Sequence, residues 1–444
     1  RKEHNMILED KSMEYAFFEG RSKAERFLKN VNAVRTELQF DNILSYVEQL
    51  KIVKINRTKI RFFYWGGVYQ WASIESVAMA FFKDPSFDVM VVSVNDNYEP
   101  KKRTVEKTGI AIVDCRDYHI GTDLPDIVVL NNQIDFAKYN NLRNVKMIVN
   151  IPSVLVNGWI VKDHIQDMMT ENILGNGAVM PDCYLVEKII YDAFAPEDLK
   201  NKTWFVCGNP KFDLIYNNVM NDYPVTDAWK KLKGKKIILW AFDHNWQTTG
   251  FSFDLYFKFF ISWFAQHEDV ALIIRPHQVF IYEMYNKAIW PRDGEKKIKE
   301  MLGKTENVIW DDSPNYGQAY AICDAVITDI NCGITISALP LKKPIAVLQR
   351  YDGNECEPHY PEVTDSLYHI KSYEELIEFL YMVKAGKDPM LGKRMGLIKK
   401  YIANFDGQNG QRIKNKIVEL YQRKLKNYRE QVDCSCTKDE EKDG

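Results

Sequence analysis

Arg275, Pro276 and His277 follow directly on an apolar run over residues 270–274. If that run is a strand, the three sit at its carboxyl end, where open α/β sheets bind ligands. A guanidinium and an imidazole so close together suit phosphate oxygens: Arg275 would neutralise charge, and His277 could donate a hydrogen bond or a proton to a leaving phosphate. A surface turn in which Pro ends a strand would look the same. Thr328, Asp329, Ile330, Asn331, Cys332, Gly333, Ile334 and Thr335 follow a second apolar run and open a helical pattern. Small and polar residues at a helix start leave N–H groups to cradle phosphate, aided by the helix dipole, although an ordinary helix cap has the same composition. Cys332 could be a low-pKa nucleophile there or a small hydrogen-bonding filler.

Asp243, His244 and Asn245 follow the run 237–240, and Gly208, Asn209, Pro210 and Lys211 follow 204–207. Each group alone is an ordinary polar loop. Their common placement after apolar runs makes a shared cleft the simpler reading. The candidate ligands of a phosphate-bearing donor are therefore Arg275, Asp329, Asn331, Cys332, Gly333, Thr335, His244, Asn209 and Lys211, with His277 as the candidate catalytic group.

The elements that must position these residues show in the hydrophobic period. Short β-branched or aromatic runs occur at 60–65, 87–94, 110–113, 126–130, 145–149, 183–186 and 204–207, with helical patterns such as 71–82 and 186–194 between them. After Pro224 and a lysine-rich stretch the alternation restarts: runs at 237–240, 270–274, 308–310, 325–328 and 344–348, and helical patterns at 253–264, 316–322 and from Ile334. Such alternation implies parallel strands with crossover helices, hence an α/β fold with two Rossmann-like domains facing a cleft. The expected organisation is a helical lead-in over 1–55, an N-terminal Rossmann-like domain over 56–225, a C-terminal Rossmann-like domain over 226–425 ending in basic helices at 372–384 and 392–426, and a charged tail over 426–444.

Composition narrows the partners. The 444 residues carry 59 Lys and Arg against 61 Asp and Glu, so no global field points to nucleic acid. Residues 391–430 are locally basic, with eleven Lys or Arg against three acids, which fits either a solvated face or contact with anionic lipid or polymer. No apolar run is long enough for a membrane span. The eight Cys have no CxxC spacing, which reads as reduced cytosolic thiols; neither a metal nor a cofactor is expected. The chain begins at Arg1 rather than Met, and an upstream module is expected.

In order, Gly208-Asn209-Pro210-Lys211-Phe212-Asp213, Asp243-His244, Arg275-Pro276-His277, the segment 324–329, Lys343-Pro344-Ile345, and Asp406-Gly407 with Arg412 resemble the CDP-glycerol glycerophosphotransferase family, the teichoic-acid-type polymerases and their capsule-synthesis relatives. The resemblance covers residues 200–420 well and 60–200 in outline. It implies a GT-B fold with an N-terminal acceptor domain over 56–225 and a C-terminal nucleotide-donor domain over 226–425, a CDP-linked polyol donor in the latter, a glycan or polyol-phosphate polymer acceptor, and peripheral attachment to the cytoplasmic membrane face through basic helices. On this resemblance Arg275 and His277 look like donor-phosphate ligands, and the loop 329–335 like a pyrophosphate cradle. The family commonly has Asp-Tyr-Ser-Ser where this chain has Asp329-Ile330-Asn331-Cys332, which replaces hydroxyls with an amide and a thiol. It also commonly places a His-Gly pair after an N-domain strand, whereas here Asn150-Ile151-Pro152-Ser153 follows the run 145–149.

The expected reaction is transfer of a glycerol- or ribitol-phosphate from a CDP-linked donor to an acceptor hydroxyl, with CMP leaving. The same architecture serves a nucleotide-sugar-dependent glycosyltransferase or an epimerase, and a chain without its N-domain His could be a non-catalytic nucleotide- or polymer-binding module. For the acceptor-side base the N-domain offers His119, in the loop after 110–113, Asp135, in the loop after 126–130 and in need of a raised pKa, and His164. A substrate-assisted route, or His244 acting across the cleft, completes the candidates.

Overall fold

The computed structural model describes residues 57–94, 98–132, 145–152, 181–193, 203–221, 227–244, 252–313, 315–330, 332–350 and 360–440. The helical lead-in, Asp135, His164 and Asn331 lie outside these residues.

Seven strands build the first sheet: β1 (Thr58–Tyr64), β2 (Phe87–Ser93), β3 (Ala111–Asp114), β4 (Ile127–Leu130), β5 (Met147–Asn150), β6 (Cys183–Val186) and β7 (Trp204–Val206). They lie in the order β3-β2-β1-β4-β5-β6-β7, and every pair is parallel. Six more build the second: β8 (Lys236–Phe242), β9 (Val270–Pro276), β10 (Val308–Trp310), β11 (Ala325–Asp329), β12 (Ile345–Leu348) and β13 (Tyr368–Ile370). Their order is β10-β9-β8-β11-β12-β13, again all parallel. Both sheets thus share one doubly wound order, with the direction of winding reversing between β1 and β4 and between β8 and β11. Interior strands such as β4, β5, β6 and β12 are buried throughout because helices cover both faces, which explains why they read as unbroken apolar runs.

Two crossings join the domains. The outgoing helix Pro210–Met220 buries Phe212 and Ile215 in a cluster that also holds Tyr184 and Ile189 of the first domain and Ala319, Ile336 and Leu339 of the second. The return runs from the helix Leu391–Tyr401 to the terminal helix Asn409–Glu440. The expected continuous helix over 392–426 is interrupted over 402–408, a connection in which Gly407 adopts φ +72°. The terminal helix then packs on the first domain rather than the second, inserting Ile413, Ile417, Leu420 and Tyr421 into the core that contains Ile60, Val91 and Val149. This differs from the sequence assignment of 226–425 to a single domain, and the reason is that the apolar stripe of the helix matches the open face of the first sheet. Its basic side is committed to the same docking: Lys414 pairs with Asp84 at 2.7 Å and Lys424 with Asp182 at 2.5 Å, while Tyr421 donates to Asp126 at 3.2 Å.

Close approaches hold the crossings together. Asp213 accepts the backbone N–H of Asn409 at 2.9 Å and of Gly410 at 2.7 Å, at the start of the terminal helix. Asn409 Nδ2 donates to the Asn209 carbonyl at 3.1 Å. Glu187, just after β6, accepts the N–H of Ala403 at 2.5 Å and of Lys188 at 3.0 Å; burial pushes its carboxyl up to about 7. Gly410 lies against the backbone of the helix Glu75–Phe82, where a Cβ would meet the Ser76 carbonyl carbon at 2.4 Å.

Gly410→Ala should therefore destabilise the protein by about 1–3 kcal/mol, because backbone rather than a flexible side chain must yield. Gly396→Ala, within the helix Leu391–Tyr401 and with nothing within 4 Å of the added Cβ, should instead stabilise by about 0.5–1 kcal/mol. Urea midpoints of the two variants test this, and equal shifts of the same sign would contradict the docking described.

Candidate functional site

The carboxyl ends of both sheets open on a cavity of about 320 Å³. Its first-domain wall is Tyr69 and Gln70, its base is Lys211 from the outgoing helix, and its second-domain wall comes from the ends of β8 and β9. Cys332, Gly333, Ile334 and Ser337 also line it, together with Tyr316 and Tyr320, whose Tyr320 hydroxyl lies 2.9 Å from Ser337 Oγ.

The first-domain wall is built by the turn after β1. Gly66 adopts φ +100°, open to glycine at no steric cost, and Tyr64 donates its hydroxyl to the Gly67 carbonyl at 2.7 Å. Asn131, after β4, accepts the N–H of Trp65 at 2.8 Å and donates to its carbonyl at 3.0 Å, so the winding reversal of the first sheet holds this turn from its far side. Sequence reasoning passed over Tyr69 and Gln70. The signal was present as Gly66-Gly67 directly after a strand, the same loop logic used for the second domain.

His277 is the N-cap of the helix Gln278–Asn286, and its Nδ1 accepts the N–H of Val279 at 3.3 Å. An acceptor at Nδ1 places the proton of the neutral ring on Nε2. Burial, helped by the nearby charges of His244 and Lys211 and opposed by Asp243, pushes its pKa down to about 4. His277 is thus a neutral donor near neutral pH. His244 stacks on it with ring centroids 4.4 Å apart, and Tyr69 meets it edge-on at 6.0 Å.

Arg275 also lines the cavity, but its guanidinium is held by the loop after β10: it pairs with Asp311 and donates to the Ser313 carbonyl at 2.7 Å. Much of its charge is balanced by that carboxylate. Lys211 is the second residue of its helix, just beyond Asn209, whose side chain caps the helix by accepting the Lys211 N–H at 2.9 Å. Burial pushes the Lys211 ammonium down to about 8, so at neutral pH it is a cation without a full shell of water.

The segment 328–335 divides into lining and support. Cys332 and Gly333 line the cavity. Burial pushes the Cys332 thiol up to about 12, which favours the filler over the nucleophile. Asp329 lies behind, wholly buried, accepting the N–H of Asp243 at 2.8 Å. Thr335 donates its hydroxyl to the Cys332 carbonyl at 2.9 Å. The helix that follows is a single turn, Ile334–Ser337, and the N–H groups of Cys332 and Thr335 serve turns within the loop, so the dipole contribution expected there is small.

His119 lies elsewhere. It is exposed, before the turn Ile120–Asp123 and beyond the edge strand β3, in a loop drawn back along the sheet by the pairing of Asp123 with Arg61 and the packing of Tyr118 on Phe63. It is not among the residues lining the cavity.

No protein-family model matches the chain, and no curated protein matches it in sequence. Solved structures match its fold. A Listeria monocytogenes putative UDP-N-acetylglucosamine 2-epimerase aligns over 83% of this chain and 97% of its own, at 18% identity and TM-score 0.58. S. aureus MnaA, solved with UDP, aligns over 81% and 96% at 15% identity and TM-score 0.55. The wall teichoic acid polymerase TagF aligns over 88% and 100% at 12% identity and TM-score 0.56. The chain accordingly has a GT-B-like fold of two Rossmann-like domains.

The environment of His277 has a consequence for stability. In the unfolded chain the ring takes up a proton below about 6.5, whereas in the fold it does so only near 4. Its contribution is therefore fully present above about pH 6.5 and is lost as pH falls towards 4. The stability difference between wild type and His277→Gln should change across that window and be flat above it. A difference independent of pH from 4 to 7 would contradict the buried, neutral ring.

Proposed function

We propose that the chain is a transferase that moves a polyol phosphate from a CDP-linked donor to a hydroxyl of a glycan or polyol-phosphate acceptor, with CMP as the leaving group. The observation that carries this reading is the polarity of the cavity. Lys211, Arg275 and His277 line it, and no carboxylate does so among the described residues. Phosphoryl transfer places negative charge on equatorial oxygens and is served by fixed cations and hydrogen-bond donors. Glycosyl transfer develops positive charge on the sugar and is served by carboxylates. In this reading the acceptor oxygen attacks the β-phosphorus, the bond to the bridging oxygen breaks, and the electron pair leaves on CMP. His277 Nε2–H and the Lys211 ammonium hold the phosphoryl oxygens, while Arg275, fixed by Asp311, gives that side of the cavity its shape.

The fold shared with TagF supports this direction, and the fold shared with the 2-epimerases keeps a UDP-sugar donor as the second reading. Peripheral attachment at the cytoplasmic membrane face has less support. Among the described residues no helix is long and apolar enough to cross a membrane, and Lys400, Arg412, Lys414 and Lys416 all pair with carboxylates of this chain.

Incubated with CDP-glycerol, CDP-ribitol and UDP-N-acetylglucosamine plus a membrane extract, the protein should release CMP from a CDP-polyol. His277→Ala, folded, should lower that rate at least ~100-fold. Release of UDP alone would favour sugar transfer, and nucleotide binding without turnover a non-catalytic module.

A further inference from the structure

We propose that Asp243 and His244 form the acid–base dyad of this cleft, with Asp243 as the positioning residue and His244 Nε2 taking the proton of the acceptor hydroxyl. The inference rests on the reading above, that the cleft transfers a group from a nucleotide-linked donor to a hydroxyl. It places the base on the second domain, at the end of β8, rather than on the first.

The geometry assigns the two imidazoles opposite roles. His244 Nδ1 lies 2.7 Å from Asp243 Oδ1, and the same oxygen accepts the His244 backbone N–H at 2.6 Å. The carboxylate beside Nδ1 favours the proton on that atom through its charge, without an aligned hydrogen bond to it, and leaves the lone pair on Nε2. His277 has the reverse arrangement, because Val279 N–H occupies its Nδ1 and the proton sits on Nε2. One ring is thus a base and its stacked neighbour, 4.4 Å away, a donor. Their exposure differs in the same sense: the His244 side chain is 36% exposed and stands beside the cavity, stacked on His277, rather than among its lining residues, while His277 lines the cavity and meets Tyr69 edge-on.

The surrounding charges keep these roles apart. Burial pushes the Asp243 carboxyl up, but its interactions with the His244 ring and backbone N–H outweigh this and hold it below the usual carboxylate range. Around the pair stand His277 after β9, Asp329 at the end of β11 and Cys332 after it, and Lys211 on the outgoing helix; the Asp329 carboxyl is pushed well up by burial and Cys332 likewise, so neither adds a full negative charge. Once His244 holds a proton, its charge and that of Lys211 disfavour a second proton on His277. The donor on the phosphoryl group therefore stays neutral throughout the step. The acceptor O–H bond breaks with its proton going to His244 Nε2, and the freed oxygen lone pair forms the new bond to phosphorus. The bridging P–O bond breaks with its electrons on CMP, and the imidazolium returns its proton to water.

The test follows nucleotide release from pH 5 to 9 with CDP-glycerol as donor and glycerol at molar concentration as acceptor, and with UDP-N-acetylglucosamine in parallel. His244→Gln should lower kcat/KM by ~10²–10⁴ at neutral pH and abolish the acidic limb of the profile, with CDP affinity by calorimetry unchanged within ~2-fold. Asp243→Asn should move that limb, and Asp243→Glu should restore part of the rate, which a merely structural role would not do. Full turnover and an unchanged acidic limb in His244→Gln would overturn the dyad. Turnover of the UDP-sugar alone would remove the polyol-phosphate reading and leave the dyad to be judged on the same variants with that donor. Nitrogen-15 spectra of histidine-labelled wild type give a test that needs no variant to fold: His244 should be the Nδ1–H tautomer and His277 the Nε2–H tautomer, and an Nε2–H form of neutral His244 would overturn the proposal.

Discussion

The buried Asp213 carboxylate is the point on which the two-domain arrangement depends. It accepts two N–H groups at the start of the terminal helix, from Asn409 and Gly410, while itself sitting in the first turns of the outgoing helix. Each hydrogen bond to a charged group contributes about 1.5–3 kcal/mol, and the helix start adds a favourable partial charge, against a desolvation cost that raises the carboxyl pKa. One side chain therefore ties the chain's departure from the first domain to its return. The approach is so close that Gly208, at φ +89°, has no room for a Cβ: it would stand 2.1 Å from Asn409 Oδ1.

That junction sets the geometry of the cleft. Lys211 lies two residues before Asp213, so fixing the helix by its Asp213 end also fixes the cation at the base of the cavity. The return helix, anchored by Ile413 and Ile417 and by the pairing of Lys414 with Asp84, holds the first domain and its Gly66–Gly67 turn opposite β8 and β9. The winding reversals of the two sheets then face each other, and the loops that leave them supply the donors. Because parallel sheets direct every strand's carboxyl end the same way, residues scattered from Tyr69 to Ser337 in sequence converge on one space.

Much of this was legible in the residue order, and the rest was not for identifiable reasons. Runs such as 127–130 and 345–348 announced buried parallel strands because both faces are covered. β13 did not, since Tyr368, His369 and Ile370 form a three-residue edge strand with no apolar run. Placing Arg275, His277, Lys211, Cys332 and Gly333 around one cavity followed from strand ends alone. The commitment of Arg275 to Asp311 did not, because it depends on the neighbouring strand β10, and strand order is not written in local pattern. Similarly, a basic helix reads the same whether its lysines meet lipid or, as with Lys414 and Lys424, the aspartates of another domain. His119 follows a strand as the rule requires, yet β3 is an edge strand two positions from the winding reversal, so its loop falls away from the cleft.

On the proposed function, this cleft holds the diphosphate of a nucleotide-linked donor between Lys211 and His277. A crystal structure of the protein with CDP bound tests it most directly. Phosphate oxygens should lie within hydrogen-bonding reach of His277 Nε2 and the Lys211 ammonium, with the nucleoside on the second domain. A nucleotide seated outside the cleft, or one whose diphosphate touches neither side chain, would contradict it.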